Sequence, residues 1–448
     1  MTKRIAQSRF FIRIFDLFIP LGTWGIITLP IWLSPFHPAV VAYFIIGFNL
    51  YFLYKAVHTV YYTVLSYKTI HLHRKIPFAK KVQKIAKSRD IKHFIIIPNY
   101  KEPIYKLRST ITAITNSDYP HKNLYLVLAF ETREEEAKAK GEELKNRFKD
   151  FFKDIIITYH ALAEGEVAGK ASNQTHGARL VDGYAEERGI DSKDTIITIC
   201  DADSHLPKNY FSYLTYRYLR DRDRLHHFYW GPVLLYNNFW KLPFFVRMQA
   251  TLSSILRLAF LSQTDKLIQI STYSTSLWLL KKLDFWDVDI IPEDWHIYFQ
   301  AFFKFGERVR TIPLYTIING DAVYSGAVAK TLKNRYEQEK RWAWGVSDIP
   351  YAIRMSFATP DIPFWPKFKK IIFLMETHLL WPTSFFVLTI SAFIPSFVHP
   401  VFKRTVLGFL LPRLTSFILT LSSLMLLLYV YIDIKLRARL DQKTLRPQ

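Results

Sequence analysis

Two rhythms of apolar residues alternate along the chain. Between Leu17 and Tyr54 there is no Asp, Glu, Lys or Arg. That run is too long for one membrane span, and Ser34-Pro35-Phe36-His37-Pro38 breaks it with residues that cannot continue a helix. The pattern predicts a helical hairpin, roughly 17–34 and 38–62, each arm long enough to cross a hydrocarbon core of about 30 Å. A cleaved signal peptide does not fit, because the apolar stretch is too long and runs on into a second span. Thr377–Phe402 and Leu414–Ile432 are again free of those four residue types. They predict two further spans joined by a loop at 399–413; buried core helices are the alternative. In the middle of the chain the apolar runs are short: His93–Ile97, Leu124–Ala129, Ile155–Tyr159 and Thr195–Cys200. Helix-like stretches separate them, near 103–116, 131–149 and 170–188. Such alternation predicts a mostly parallel, doubly wound α/β sheet.

Charge sharpens this division. The 448 residues carry a formal net charge of +22, with 22% charged and 50% hydrophobic residues. The charge load excludes an all-membrane transporter core, and the apolar excess excludes a disordered chain. The single cysteine, Cys200, excludes an internal disulfide and multi-cysteine metal sites. Basic residues gather beside the spans. They are Lys3, Arg4, Arg9 and Arg13 at the start, Lys68 to Lys92 after the first hairpin, and Lys435, Arg437, Arg439, Lys443 and Arg446 at the end. By the positive-inside rule these flanks are cytoplasmic. Lys403, Arg404 and Arg413 in the 399–413 loop run mildly against this orientation. The expected organisation is an N-terminal transmembrane hairpin at 1–66, a cytosolic domain at 67–365, and a C-terminal hairpin with a basic tail at 366–448. Phe78, Val82 and Ile85 among Lys80, Lys81, Lys84 and Lys87 suit a helix lying on an anionic membrane, or a solvated linker. Nucleic acid is not an expected partner, since no DNA-binding motif is present and the charge sits beside spans.

Ligands of such sheets bind outside the carboxyl ends of the strands. The residues there are Pro98-Asn99-Tyr100-Lys101-Glu102, Phe130-Glu131-Thr132-Arg133 and Asp201-Ala202-Asp203-Ser204. No Gly-x-Gly-x-x-Gly or Walker-type loop follows any strand, which disfavours a dinucleotide redox fold and a P-loop kinase. Asp201 and Asp203, leaving a strand together, can converge on Mg2+ or Mn2+ bridging a nucleotide diphosphate, although Asp-x-Asp also occurs in ordinary loops. Glu293-Asp294 precedes the helix-like His296–Phe305. It reads either as a helix cap or as a general base. Arg341 and Trp342 in Gln338-Glu339-Lys340-Arg341-Trp342 can serve as a phosphate clamp and a sugar-stacking platform, or lie on a surface helix.

In order, Ile95-Ile96-Ile97-Pro98-Asn99-Tyr100-Lys101-Glu102, Gly169-Lys170-Ala171, Asp201-Ala202-Asp203, Glu293-Asp294 and Gln338-x-x-Arg341-Trp342 resemble membrane-bound family 2 glycosyltransferases of the cellulose-synthase-like and hyaluronan-synthase-like group. The resemblance covers about 92–346. It implies a Rossmann-like α/β GT-A domain flanked by transmembrane hairpins, and inverting sugar transfer from a nucleotide-diphosphate donor. It also implies a Mg2+ or Mn2+ ion held by Asp201 and Asp203. Pro98, Tyr100, Glu102 and Glu131 would line the nucleotide pocket, with Lys170 facing the diphosphate. Asp294 would be the base, Glu293 would stand beside the acceptor, and Gln338, Arg341 and Trp342 would close over donor and acceptor. The chain departs from the common pattern in three places. Glu131 stands in Phe-Glu-Thr-Arg where an Asp pair is usual, Thr175 takes the place of a later Asn (with Asn173 nearby), and Ser271–Ser276 replaces a glycine-rich acceptor loop.

The expected function is therefore glycosyl transfer to a glycan or lipid-linked acceptor at the cytosolic face of a plasma or inner membrane. The alternatives are a processive polysaccharide synthase coupled to export and a non-catalytic scaffold. Four spans make a poor channel unless further protomers or partner subunits contribute. Asn173-Gln174-Thr175 is discounted as a cytosolic sequon, His71 and His73 as surface residues, and Cys200 as a core residue. The segment Pro243–Phe260 reads as an interfacial helix that delivers acceptor, or as domain core.

Overall fold

The computed structural model describes residues 9–439. Lys3, Arg4, Lys443 and Arg446, named above for orientation, lie outside the described residues. The labelled helices are α1 (Arg9–Leu33), α2 (Pro38–His73), α3 (Lys170–Glu187), α4 (Phe244–Leu261), α5 (Glu293–Phe305), α6 (Val328–Ala343), α7 (Phe364–Thr389) and α8 (Val406–Arg439). The strands are β1 (Lys92–Pro98), β2 (Leu124–Glu131), β3 (Asp154–His160), β4 (Thr195–Ile199), β5 (Phe228–Trp230), β6 (Val233–Leu234), β7 (Tyr273–Ser276), β8 (Thr311–Pro313) and β9 (Ile318–Asn319). The described residues divide into two compact units, 9–64 with 345–435, and 65–344 with 436–439.

The first unit is helical. Among the described residues, five helices of the chain are long and apolar enough to cross a membrane: α4 and stretches of α1, α2, α7 and α8. The protein is a membrane protein. The break between α1 and α2 falls at 34–37, as the Ser-Pro-Phe-His-Pro run predicts. The C-terminal spans differ from expectation. Helix α7 begins before the uncharged run, since charged residues do not stop a helix, and it ends at Thr389. Short helices at Ile394–Val398 and Pro400–Lys403, each with proline in its first turn, fill the connection. Gly408, in the first turn of α8, lies against this connection, where a Cβ would collide with the Phe402 carbonyl. Lys55 and Glu376 form an ion pair joined by the Tyr51 hydroxyl at 2.6 Å. Both charges sit at the borders of their uncharged runs, so the long apolar stretches themselves stay free of charge.

The second unit carries a seven-stranded sheet of order β3-β2-β1-β4-β7-β5-β8, and a two-stranded sheet β6-β9. Strands β1 to β4 are parallel, β7 runs antiparallel between β4 and β5, and β5 pairs parallel with β8. This is the mostly parallel α/β arrangement expected of a GT-A domain. Central strands buried on both faces read as continuous apolar runs, and Phe94–Ile97 and Leu124–Phe130 are buried throughout. The segment expected to lie on a membrane or in solvent does neither. The short helix Phe78–Gln83 buries Phe78 and Val82 in the core, with Phe78 stacked on Tyr213 at 4.1 Å between centroids. A six-residue helix gains more from packing two apolar side chains on a neighbour than from exposing them. His73 hydrogen-bonds the Tyr213 hydroxyl at 2.7 Å.

Candidate active site

The topology brings the ends of β1 and β4 side by side, with Ile96 opposite Ile199. The turn after β4 therefore stands beside the loop after β1. Ser204 donates its N–H to the Asp201 carbonyl at 2.9 Å, and Thr110 holds the Ala202 carbonyl at 2.8 Å. These bonds fix the Asp-Ala-Asp turn, with Ala202 buried between the two carboxylates. Cys200, ahead of the turn, is a buried core residue whose thiol is pushed up by burial and then by Asp201 and Asp203.

Lys170 is the hub. It opens α3, and its ammonium lies 2.9 Å from Asp201, 3.2 Å from Glu293 and 3.3 Å from Asp294. It also donates to the Ser271 carbonyl at 3.2 Å. Burial alone would lower the Lys170 pKa, but Asp201, Asp294 and Glu293 together carry it well above the usual range. Asp201 is the converse: burial raises it, and the Lys170 ammonium and Ser271 hydroxyl more than offset this and hold it low. Asp294 rises to about 8, through burial first and then through Glu293 and Asp201, against the opposing pull of Lys170. Asp203 also rises to about 8, from burial, then Asp201 and Asp321, with Lys106 opposing.

The sequence assigns no individual role to four residues that shape this site: Ser271 and Arg133 lie in segments it singles out, Gln269 and Asp321 in segments it does not. Ser271 precedes β7 with φ 70°, a left-handed conformation that is costly for a residue with a Cβ. In that conformation its N–H donates to Asp294 Oδ2 at 2.6 Å while its hydroxyl donates to Asp201 Oδ2. One residue thus ties the two carboxylates together. Gln269 adds a bond from Nε2 to the Asp294 carbonyl at 2.8 Å. Asp321, after β9, pairs with Lys106 at 3.5 Å, and Lys106 also meets Glu102 at 3.7 Å. Arg133 ion-pairs with buried Glu131 and lies 4.6 Å from the centroid of the Tyr100 ring. It joins two of the residues expected to line the nucleotide pocket. The remaining two expected there, Pro98 and Glu102, close β1 and follow it in the same loop. Asn173 donates to the Ala129 carbonyl at 2.9 Å, which clasps β2 from α3. Thr175 is likewise buried and bonds the Trp286 carbonyl at 3.3 Å, so the sequon is inaccessible.

Helix α6 carries the Gln-x-x-Arg-Trp residues, and its buried guanidinium is Arg335. Arg335 ion-pairs with Glu339, donates to Gln338 Oε1, and stands 4.7 Å from the Trp342 ring centroid. Arg341 is exposed. At about 100° per residue, Arg335, Gln338, Glu339 and Trp342 share one stripe and Arg341 falls roughly 120° away.

No group of three or more metal-ligating side chains occurs among the described residues. Asp201 and Asp203 offer hard oxygen donors. The raised Asp203 carboxyl, crowded by Asp201 and Asp321, is the environment that a cation would relieve. Two carboxylates fit Mg2+ or Mn2+ when phosphate and water complete the shell.

A mannosyltransferase from Pyrobaculum calidifontis, PcManGT, in complex with GDP-Man and Mn2+, is similar over 88% of this chain and 99% of its own, with 15% identity and a TM-score of 0.47. S. aureus TarS 1-349 in complex with UDP-GlcNAc is similar over 66% of this chain and 92% of its own, with 9% identity and a TM-score of 0.36. No curated protein matches the chain. The sequence profile of glycosyl transferase family group 2 matches residues 196–432, more than half of the chain, from β4 through the acidic pair and α6 into α8. The chain belongs to glycosyl transferase family group 2.

Proposed function

We propose that this membrane glycosyltransferase moves a sugar, with inversion, from a nucleotide-diphosphate donor to a hydroxyl of a glycan or lipid-linked acceptor at the cytosolic membrane face. The observation that carries the reading is the Lys170 cluster. One ammonium touches Asp201, a candidate donor-side ligand, and Asp294, the candidate base. Donor and acceptor chemistry therefore meet within one side chain's reach.

In this reading Pro98, Tyr100, Glu102 and Glu131 border the nucleotide, and Lys170 faces the diphosphate. Asp201 and Asp203 would hold a Mg2+ or Mn2+ ion, which when bound neutralises charge on the leaving diphosphate. Asp294 takes the proton of the attacking hydroxyl. A carboxylate raised to about 8 is a better base than an ordinary one, so burial of Asp294 serves the chemistry. Glu293 stands beside it toward the acceptor. Gln338 and Trp342 border the acceptor, and Arg341 reaches the donor as the complex closes.

The test is incubation of purified protein in detergent with a panel of radiolabelled nucleotide sugars and total membrane lipid, followed by product sizing. Label in a lipid-extractable single-sugar product supports the reading. Label in long polymer favours the processive alternative, and no transfer from any donor sinks the proposal.

A further inference from the structure

A buried ion pair stands beside the loop after β1, and the proposed chemistry does not use it. Glu134, in the loop after β2, is 5% exposed, and Lys140, in the helix Ala137–Phe148, is 9% exposed. Glu134 Oε1 and Lys140 Nζ meet at 2.6 Å. Charged side chains are seldom buried this deeply. Each partner also reaches the backbone of the loop after β1. Glu134 Oε2 accepts the Lys101 N–H at 2.8 Å, and Lys140 donates to the Glu102 carbonyl at 3.2 Å. Lys140 also meets Glu136 at 3.0 Å, so each of its three N–H groups has an acceptor. Burial alone would lower the Lys140 pKa, but Glu134 and Glu136 more than offset this, and the ammonium stays charged.

Lys101 needs to be held. Its φ is 60°, a left-handed conformation that is costly for a residue with a Cβ. A hydrogen bond from its N–H to a buried carboxylate outweighs that strain. Without the bond, extended backbone is the cheaper state for a lysine, and the chain on either side of it changes direction. The residues on either side are Tyr100 and Glu102. The same β2 loop braces Tyr100 a second time, through Arg133 at 4.6 Å from the ring centroid. The loops after β1 and β2 are therefore tied together at two points.

We propose that Glu134 and Lys140 are positioning residues of the donor site, which lock the loop after β1 so that Tyr100 and Glu102 are preset for the nucleotide. This rests on the transferase reading, in which those two residues border the nucleotide. Neither Glu134 nor Lys140 touches the donor. They act by raising the fraction of molecules whose loop is ready, and apparent affinity scales with that fraction. Donor affinity is thus the quantity they control, and the chemical step at Asp294 is not.

The test is equilibrium binding of UDP, GDP, CDP and ADP to the full chain in neutral detergent, beside transfer kinetics with the nucleotide sugar the protein accepts. Glu134→Ala removes both bonds and should weaken nucleoside diphosphate binding roughly tenfold to a hundredfold. Glu134→Gln keeps an oxygen for the Lys101 N–H and should lose less; as the isosteric change it is the second arm if Glu134→Ala does not fold, which thermal unfolding reports. Lys140→Met should weaken binding as well. The double variant Glu134→Gln with Lys140→Met should lose no more than the worse single one, because the pair acts as a unit. In each folded variant KM for the donor should rise while kcat at saturating donor stays unchanged. A pair that only stabilised the fold would do the reverse, lowering kcat through a smaller folded fraction at constant KM. That reverse pattern overturns the proposal, as do unchanged nucleotide affinity in the folded Glu134 variants and additive losses in the double variant. Binding of none of the four nucleotides by the wild-type protein instead overturns the transferase reading.

Discussion

Replacing Ser271 separates a hydroxyl from a backbone conformation. Its side chain donates to Asp201 and its N–H to Asp294 at 2.6 Å, both from a left-handed backbone with φ 70°. Ser271→Ala removes the hydroxyl and keeps the conformation under the same steric load. Ser271→Gly also removes the hydroxyl, and it relieves a strain of about 1 kcal/mol at that φ. A hydrogen bond to a charged group contributes about 1.5–3 kcal/mol. If it orients Asp201 for the donor, its loss lowers kcat/KM roughly tenfold to a hundredfold at about 1.4 kcal/mol per decade. Both variants should lose the same factor, because both keep the N–H to Asp294. Their thermal stabilities should differ, with Ser271→Gly at or above Ser271→Ala. The assay is initial-rate transfer from labelled donor in detergent, beside a thermal unfolding scan of each variant. Full kcat/KM in Ser271→Ala refutes a role for the hydroxyl. Recovery of activity in Ser271→Gly relative to Ser271→Ala places the effect in the backbone and refutes the reasoning as well.

Asp203→Asn should abolish transfer without lowering the thermal midpoint at pH 7, because a carboxyl raised to about 8 gains from being neutral in the fold; retained activity, or undiminished turnover in excess chelator, rejects its role as a ligand. His93 is buried against Tyr119 and Phe211, and burial lowers it to about 3, so the stability it contributes is complete above its ordinary pKa and lost as pH falls from about 6.5 toward 3. At pH 5 the loss is about 2 kcal/mol, and His93→Phe should flatten the dependence of the unfolding midpoint between pH 7 and 5; an unchanged slope would show that the acid sensitivity lies elsewhere. With Cys200 replaced by Ser, a cysteine placed at the exposed positions Phe36 or Val401 should react with a membrane-impermeant maleimide on intact cells, and one at Lys193 should not; the reverse pattern inverts the topology.

The sequence was most legible where one local pattern decides the outcome. The four apolar runs became β1 to β4: β1, β2 and β4 are buried on both faces and need continuous apolar residues, while the edge strand β3 mixes buried and half-buried positions. The Asp-Ala-Asp turn and the Glu-Asp pair were visible for the same reason, being short and adjacent in the chain. Legibility failed where chain ends meet through topology. Ser271 lies 70 residues from Asp201, and what makes it useful is a φ that no composition rule announces. Asp321 reaches the site through a two-residue strand. Phe78 and Val82 looked like a membrane-facing stripe because amphipathicity does not say which apolar surface is nearest. Arg335 was legible in principle, since i, i+3, i+4 and i+7 spacing from it picks out Gln338, Glu339 and Trp342. In the sequence the adjacent Arg341-Trp342 pair masks that stripe, because the two side chains stand about 100° apart on α6.

The Lys170 cluster carries a consequence for the order of events. In this structure the ammonium is shared among three carboxylates, and in the proposed reaction it faces the donor diphosphate. It cannot serve both fully, so donor binding has to draw it away from Asp294. Lys170 is what pulls the Asp294 pKa down against burial, Glu293 and Asp201. A Coulomb interaction at 3.3 Å and an effective dielectric constant of about 20 is of order 5 kcal/mol, and about 1 kcal/mol in full solvent screening. Asp294 is about one-fifth exposed, which places the effect between those bounds. Removing the ammonium thus makes Asp294 a stronger base by one to a few pKa units, once the donor is in place. Donor binding should therefore precede productive acceptor binding. Isotope trapping decides this: prebound labelled donor should be captured into product when acceptor is added with excess unlabelled donor. In Lys170→Met the base no longer depends on the donor, so at low donor concentration its pH–rate profile should rise at higher pH than in the wild type, and the two profiles should coincide once donor saturates. Capture of prebound acceptor instead of prebound donor, or an unmoved profile in Lys170→Met, would show that Lys170 only holds the carboxylates together.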